Sequence, residues 1–234
     1  MQNAEKLYND YWTHKAGKDQ EFAYYDRLYA PLKHKFVVLP NSKILDVAGG
    51  NGEFLRYLGI KSADVIDISD SGLEQAKGFG YGTIKADITK RFPIEQETYD
   101  YVFLCEILEH LHHPNLTIAE AKQVLKPNGS LYVSQPNMPP DGTYHVRRYY
   151  WEELRDDLLK SGFKIDWVDY VPAYSVPAAI KDDIKNNRSW IRKGIQCINL
   201  LLSWLPYKVR YQLAHWIPNR FGLIFVVKAS KSNS

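Results

Sequence analysis

An apolar run that stops at a glycine cluster and then reopens at helical spacing constrains this chain more than any other feature. KILDV at 43–47 is followed at once by AGGNG, after which Phe54, Leu55 and Leu58 fall on one helix face. This predicts strand, tight turn, helix. The unit recurs along the chain. ADVIDIS at 63–69 predicts a second strand, with Ser69 or Asp70 placed to cap a helix running to about Lys77. GTIKAD at 82–87 predicts a third strand, and YDYVFLCEIL at 99–108 opens with a fourth, buried one. Ile118, Ala121, Val124 and Leu125 mark a helix stopped by the PNG at 127–129, before a strand at 130–135. A helix at 151–162, a strand at 163–171 and a final strand at 221–229 complete the series. Strands alternating with helices at this spacing imply an α/β fold with a parallel sheet and helices on both faces.

A chain of 234 residues is long enough for one large domain carrying an embellishment. Residues 1–40, with Leu7, Tyr8, Tyr11 and Trp12 spaced to share a face, are expected to form lead-in helices, the second ending at Pro40. Residues 41–171 and 221–234 form the main domain, and 172–220 are an insertion where a hairpin needs only a few residues. Within it Ile184, Ile191, Ile195, Ile198, Leu202 and Leu205 form a helical apolar stripe, so a helical cap is expected.

The net charge of +3 argues against a dedicated nucleic-acid binder, yet Pro172 to Arg220 alone carries +6, leaving −3 elsewhere. That segment also holds Trp190, Trp204 and Trp216, a composition suited either to an acceptor lid or to an anionic membrane surface. The two cysteines, Cys105 and Cys197, can build neither a disulfide framework nor a structural zinc site. With an N-terminus that lacks an apolar signal core, the expected location is cytoplasmic, with peripheral membrane contact through 172–220.

In open parallel sheets, ligands bind outside the carboxyl ends of the strands, beside the first strand. Asp67 ends the second strand 21 residues after Asp46, where a carboxylate can accept bonds from both hydroxyls of a ribose, and Asp87 follows the third strand. Leu55 stands where a dinucleotide fingerprint needs its third glycine, and the turn lacks the Lys-Ser/Thr pair of a phosphate-binding loop. Both observations disfavour NAD and nucleoside triphosphates.

ILDVAGGNGEFLRYL, VIDIS, KADI and YDYVFLCEILEHLHHP followed by AEAKQVLKPNGSLYVSQPN together resemble the motifs of the class I S-adenosylmethionine-dependent methyltransferases. The resemblance implies a Rossmann-like, doubly wound seven-stranded sheet with an antiparallel last strand, and S-adenosylmethionine as cofactor. It carries cofactor contacts onto Asp46, Ala48, Gly50 and Gly52 in the first motif, Asp67 and Ile68 at the ribose, Asp87 and Ile88 at the adenine, and Cys105 in the floor. Ala48 departs from the usual glycine, which is tolerable where φ is negative.

On the acceptor side, His145 lies in the loop after the fifth strand and is assigned as the catalytic residue, a base or acceptor-positioning group. Arg147 and Arg148 either hold an anionic acceptor or pair with Glu152 and Glu153. Glu106, Glu109 and His110 resemble the divalent-ion ligands of ubiquinone-pathway O-methyltransferases; the same spacing occurs in relatives without metal, and no metal is assigned. CEILEH replaces the Asn/Asp-Pro-Pro-aromatic element that grips a base amino group. The expected reaction is methyl transfer, most often to oxygen, of a small-molecule, glycan or lipid-linked acceptor. An RNA or protein methyltransferase docking through the basic insertion, and a non-catalytic scaffold that keeps the fold, stand as alternatives.

Overall fold

The computed structural model of the chain describes residues 4–15, 20–136, 144–172 and 222–232. Its centre is a seven-stranded sheet of β1 (Ile44–Val47), β2 (Asp64–Asp67), β3 (Gly82–Lys85), β4 (Tyr99–Cys105), β5 (Leu125–Pro136), β6 (Phe163–Pro172) and β7 (Gly222–Lys231). The strand order is β3-β2-β1-β4-β5-β7-β6. The first five strands run parallel, whereas β7 enters antiparallel between β5 and β6. The doubly wound sheet with a reversed last strand is therefore the expected one. The order reverses between β1 and β4, so the carboxyl ends of those strands bound the crevice where such sheets bind ligands.

Side chains alternate across the sheet. Leu45, Val47, Val102, Leu104, Leu131 and Val133 join one core with α5 (Pro114–Val124) and α6 (Trp151–Lys160). Ile44, Val65, Tyr101, Phe103 and Tyr132 join the opposite core with α2 (Gln20–Tyr29), α3 (Glu53–Leu58) and α4 (Asp70–Gly78). Ser69 caps α4 by accepting from the Gly72 amide at 3.1 Å, as the sequence suggests, and Pro114 opens α5 after His112 and His113.

Two boundaries differ from the sequence reading. The second lead-in helix ends at Tyr29, well before Pro40, because Pro31 interrupts it and a single 3-10 turn at Lys33–Lys35 follows. Helix α5 stops at Val124, since Leu125 is already extended and pairs with Tyr99. The PNG then interrupts the β4–β5 ladder, with Asn128 at φ 64°, and pairing resumes at Ser130 with Tyr101. The expected helical cap at 172–220 lies, apart from Pro172, outside the described residues. Among the described residues no helix is long and apolar enough to cross a membrane.

Candidate active site

The turn after β1 is held by its own backbone: the Ala48 amide donates to Ile66 O at 2.7 Å and the Gly52 amide to Gly49 O at 2.8 Å. Gly50 and Gly52 take φ of 53° and 73°. Ala48 takes 56°, which corrects the expectation of a negative φ there. An L-residue in this region is strained by roughly 1–2 kcal/mol, because Cβ crowds the following carbonyl. Gly50 also lacks room for any side chain, since a Cβ would lie 2.0 Å from the Trp12 ring.

Asp67 ties this turn to β2. Its Oδ2 accepts from the Gly50 amide at 2.9 Å and its Oδ1 from the Ser69 amide at 2.8 Å. Burial raises the Asp67 pKa, while the amides of Ser69, Gly50 and Ile68 pull it back. The carboxylate keeps acceptor capacity for a ligand hydroxyl beyond these amides. Asp46 sits beneath Gly49, buried, and its Oδ2 has no hydrogen-bond partner. Burial, then the Asp67 charge, raises its pKa from 3.8 to about 8. A buried acceptor without a donor is costly in the free protein and suits a ligand that brings a cationic N–H group.

Ile68 is half-buried at the end of β2 and Ile88 is buried beside Thr117, whose hydroxyl bonds the Ile88 carbonyl at 3.0 Å. Asp87 forms a local turn, accepting from the Thr89 amide at 3.0 Å and hydroxyl at 2.6 Å and pairing with Lys90 at 3.1 Å. These contacts outweigh partial burial and lower its pKa. Cys105 pairs with Ser134 across β4 and β5, and burial pushes its thiol up. These residues border the crevice from three consecutive strand ends, and the buried orphan on Asp46 together with the Asp67–Gly50 cradle fits the cofactor implied by the motifs.

Helix α1 (Ala4–Lys15) crosses the crevice as a roof. Asn9 Oδ1 accepts from the Ser69 hydroxyl at 2.9 Å and the Ser71 amide at 3.1 Å, and Gln75 donates to Trp12 O at 3.0 Å. At one end Trp12 rests on Gly50. Tyr11 stacks edge-on against Trp12 at 5.1 Å and Tyr144 at 5.6 Å, and Tyr8 meets the His110 ring at 6.3 Å at the other end.

Beneath that second end lies a cluster of buried acids and histidines. Glu106, at φ 55°, accepts from the hydroxyls of Tyr29, Tyr24 (3.2 Å) and Ser134 (3.3 Å). A single 3-10 turn at Leu108–His110 then presents Glu109 and His110. Glu109 is 1% exposed and lies beside the Gln135 amide, which also donates to Pro136 O at 3.0 Å. Burial and the neighbouring Glu106 push the Glu109 carboxyl well above its ordinary range. His145 is brought here by the Glu109 carbonyl, which accepts from the amides of Val146 (3.0 Å) and Arg147 (3.3 Å). Its Nε2 lies 3.9 Å from Glu109 Oε1, and its ring packs against that of His110 at 5.0 Å. Arg147 pairs with Glu153 at 3.3 Å, favouring the structural of its two readings.

The sequence did not disclose the roles of Trp12, Asn9, Tyr24 and Tyr29. Helical spacing put Tyr8, Tyr11 and Trp12 on one face; what that face covers depends on contacts with residues 38 to more than 100 positions away, which no local pattern encodes.

Residues 45–133 match the family model described as "Methyltransferase domain". The ubiquinone biosynthesis O-methyltransferase of Photobacterium profundum is 35% identical over 120 residues, 46% of this chain and 51% of that protein. The ubiquinone/menaquinone biosynthesis C-methyltransferase of Teredinibacter turnerae is 31% identical over 114 residues, 44% of this chain and 46% of that protein. The chain thus spans about half the length of the curated relatives it matches. A SAM-dependent methyltransferase from Thermotoga maritima superposes with a TM-score of 0.66 at 17% identity, covering 97% of this chain and 99% of that one. With the strand order and the glycine turn in place, residues 45–133 are similar to the methyltransferase-domain family, and the sheet has the Rossmann-like fold of the S-adenosylmethionine-dependent methyltransferase on which it superposes.

Proposed function

We propose that this chain uses S-adenosylmethionine to methylate an oxygen of a small-molecule, glycan or lipid-linked acceptor. The observation that carries this reading is the Asp67–Gly50 bond, which joins the glycine turn and the second-strand acid into one cradle. In it Asp67 would accept from the ribose hydroxyls, Asp46 would face the ammonium of the methionine portion, and Asp87 would lie on the adenine side. The cofactor supplies an electrophilic methyl on a sulfonium; transfer to a hydroxyl forms an O–C bond, breaks an S–C bond and frees the hydroxyl proton. Alignment dominates the rate of such a displacement. The roof of Tyr8, Tyr11 and Trp12 excludes water, and His145, clamped beside Glu109, engages the acceptor hydroxyl. Relatives named for ubiquinone biosynthesis favour an acceptor with an aromatic hydroxyl, and Tyr8 and Tyr144 offer faces for such a ring.

Calorimetry with S-adenosylmethionine, its demethylated product and NAD tests the cofactor. Binding of the first two and not the third is expected, and heat with NAD alone overturns the reading. Label transfer into lipid, glycan, nucleic-acid and protein fractions then identifies the acceptor pool. His145→Ala is expected to lower turnover and leave cofactor affinity nearly unchanged; equal activity from pH 6 to 9 removes His145 from the site.

A further inference from the structure

We propose that Arg148 anchors an anion subsite at the rim of the crevice, which takes a carboxylate or phosphate carried on the aromatic or apolar body of the acceptor. The inference rests on the acceptor reading above and deepens it, narrowing the acceptor to an anionic one. It starts from a guanidinium that the protein itself leaves unused. Arg148 is half-buried, makes no hydrogen bond or ion pair among the described residues, and has its Nε buried without an acceptor. A buried donor without a partner is costly, and a planar guanidinium presents paired N–H groups that match a carboxylate or phosphate two at a time.

The carboxylates nearest in sequence do not fill this need. Glu153 accepts from Arg147 at 3.3 Å and from the Tyr150 amide at 3.1 Å, so its two oxygens hold the start of α6. Glu152 is exposed and makes no pair with Arg148. The two arginines also diverge. The guanidinium carbon of Arg147 lies 4.6 Å from the centre of the Tyr149 ring, and that of Arg148 lies 5.7 Å from the centre of the Tyr150 ring. Arg147 thereby belongs to the frame, whereas Arg148 stands between Val146, 41% exposed, and Tyr150, 48% exposed. An aliphatic group, a cation and an aromatic ring at alternate positions suit an anion on an apolar carrier better than a free inorganic ion.

The position is fixed and adjoins the site. Just before Arg148, the Glu109 carbonyl accepts from the amides of Val146 and Arg147; just after it, Tyr149 is fully buried and its hydroxyl bonds Asp157. Holding the backbone on both sides lowers the ordering cost of engaging a ligand. Arg148 lies three residues beyond His145, a stretch that an extended chain spans in roughly 10 Å, so one acceptor can bring a hydroxyl to His145 and an anion to Arg148.

The test uses the full chain saturated with the demethylated cofactor product and titrated with phenyl phosphate, benzoate and the neutral benzyl alcohol, followed by chemical-shift changes. Both anions are expected to bind about tenfold or more tighter than the alcohol, a margin that shrinks as salt is added. Arg148→Gln is expected to bring the three within about threefold of one another, and Arg148→Lys to keep part of the preference. Arg91→Gln, at an exposed arginine elsewhere, is expected to leave it whole. Circular dichroism and S-adenosylmethionine calorimetry on every variant report folding; should Arg148→Gln not fold, Arg148→Lys and the salt dependence decide. Equal binding of anions and alcohol, binding of none of them, or a preference that survives Arg148→Gln overturns the proposal. So does binding of phosphatidylglycerol vesicles that Arg148→Gln abolishes while the small probes go undiscriminated, which assigns the guanidinium to a lipid surface. Anion preference without methyl transfer to any fraction overturns the functional reading alone, and methyl transfer without that preference overturns this one alone.

Discussion

At Ala48 the chain places a methyl group on a backbone with φ of 56°. Ala48→Gly relieves a strain of roughly 1–2 kcal/mol but enlarges the freedom of the unfolded chain by about 0.4–1 kcal/mol, so a net gain of up to about 1.6 kcal/mol is expected. A thermal melt raised by a few degrees checks this; a lowered melt shows that the strain is relieved elsewhere. Asp46 carries a second consequence. Between about pH 4 and pH 8 the unfolded chain has lost the proton that folded Asp46 retains, given its pKa of about 8. Its contribution to stability is therefore full below pH 4 and falls as pH rises through that window. Asp46→Asn should remove this decline, read as the difference between wild-type and variant melts from pH 4.5 to 8.5. With the cofactor's ammonium beside the ionised form, binding should release close to one proton at pH 6.5 and little at pH 9, measured by calorimetry in buffers of unequal ionisation heat. Asp67→Ala should weaken cofactor binding by about 1.5–3 kcal/mol, since charged hydrogen bonds are lost. At this scale Asp46, Asp67 and Gly50 were legible because their types are tied to chemistry at fixed spacing. The sign of φ at Ala48 was not, because the turn's hydrogen bonds to β2 set it.

Helix α1 shows what an element adds. Its aromatic face was visible in the spacing of Tyr8, Tyr11 and Trp12, but the surface it covers was not, since Asn9 finds its partners at Ser69 and Ser71. Trp12→Ala removes the ring packed on Gly50 and should weaken cofactor binding severalfold while leaving the sheet's circular dichroism intact. Asn9→Ala, which strips acceptors from Ser69 and Ser71 without touching the crevice, should reproduce a smaller part of the loss. A null result in both variants would show that α1 contributes nothing to the cofactor side. Strand β5 teaches the complementary lesson. The PNG was legible as an irregularity, and pairing of Leu125 with Tyr99 turned it from a helix stop into an interruption within a ladder.

Over the whole molecule, the alternation of β4 divides the interior: Val102 and Leu104 face one core, Tyr101 and Phe103 the other. Leu104→Ala and Phe103→Ala should each cost about 2–5 kcal/mol, measured by denaturant unfolding, because each opens a cavity in a different layer. The parallel order and the reversed last strand followed from the repeating strand–helix grammar and the family motifs. The clustering of Glu109, His110 and His145 did not, because it depends on a carbonyl in the 3-10 turn after β4 capturing amides some 37 residues further along. One consequence of the roof remains. A single helix touches the turn at Gly50 through Trp12 and the ring of His110 through Tyr8, so the two ends of the crevice share one mechanical part. Whatever steadies it from one end lowers the entropic cost of engaging it from the other. Thermodynamic reciprocity then fixes the numbers: the factor by which the cofactor tightens an acceptor must equal the factor by which that acceptor tightens the cofactor, and Tyr8→Ala should bring both toward unity together.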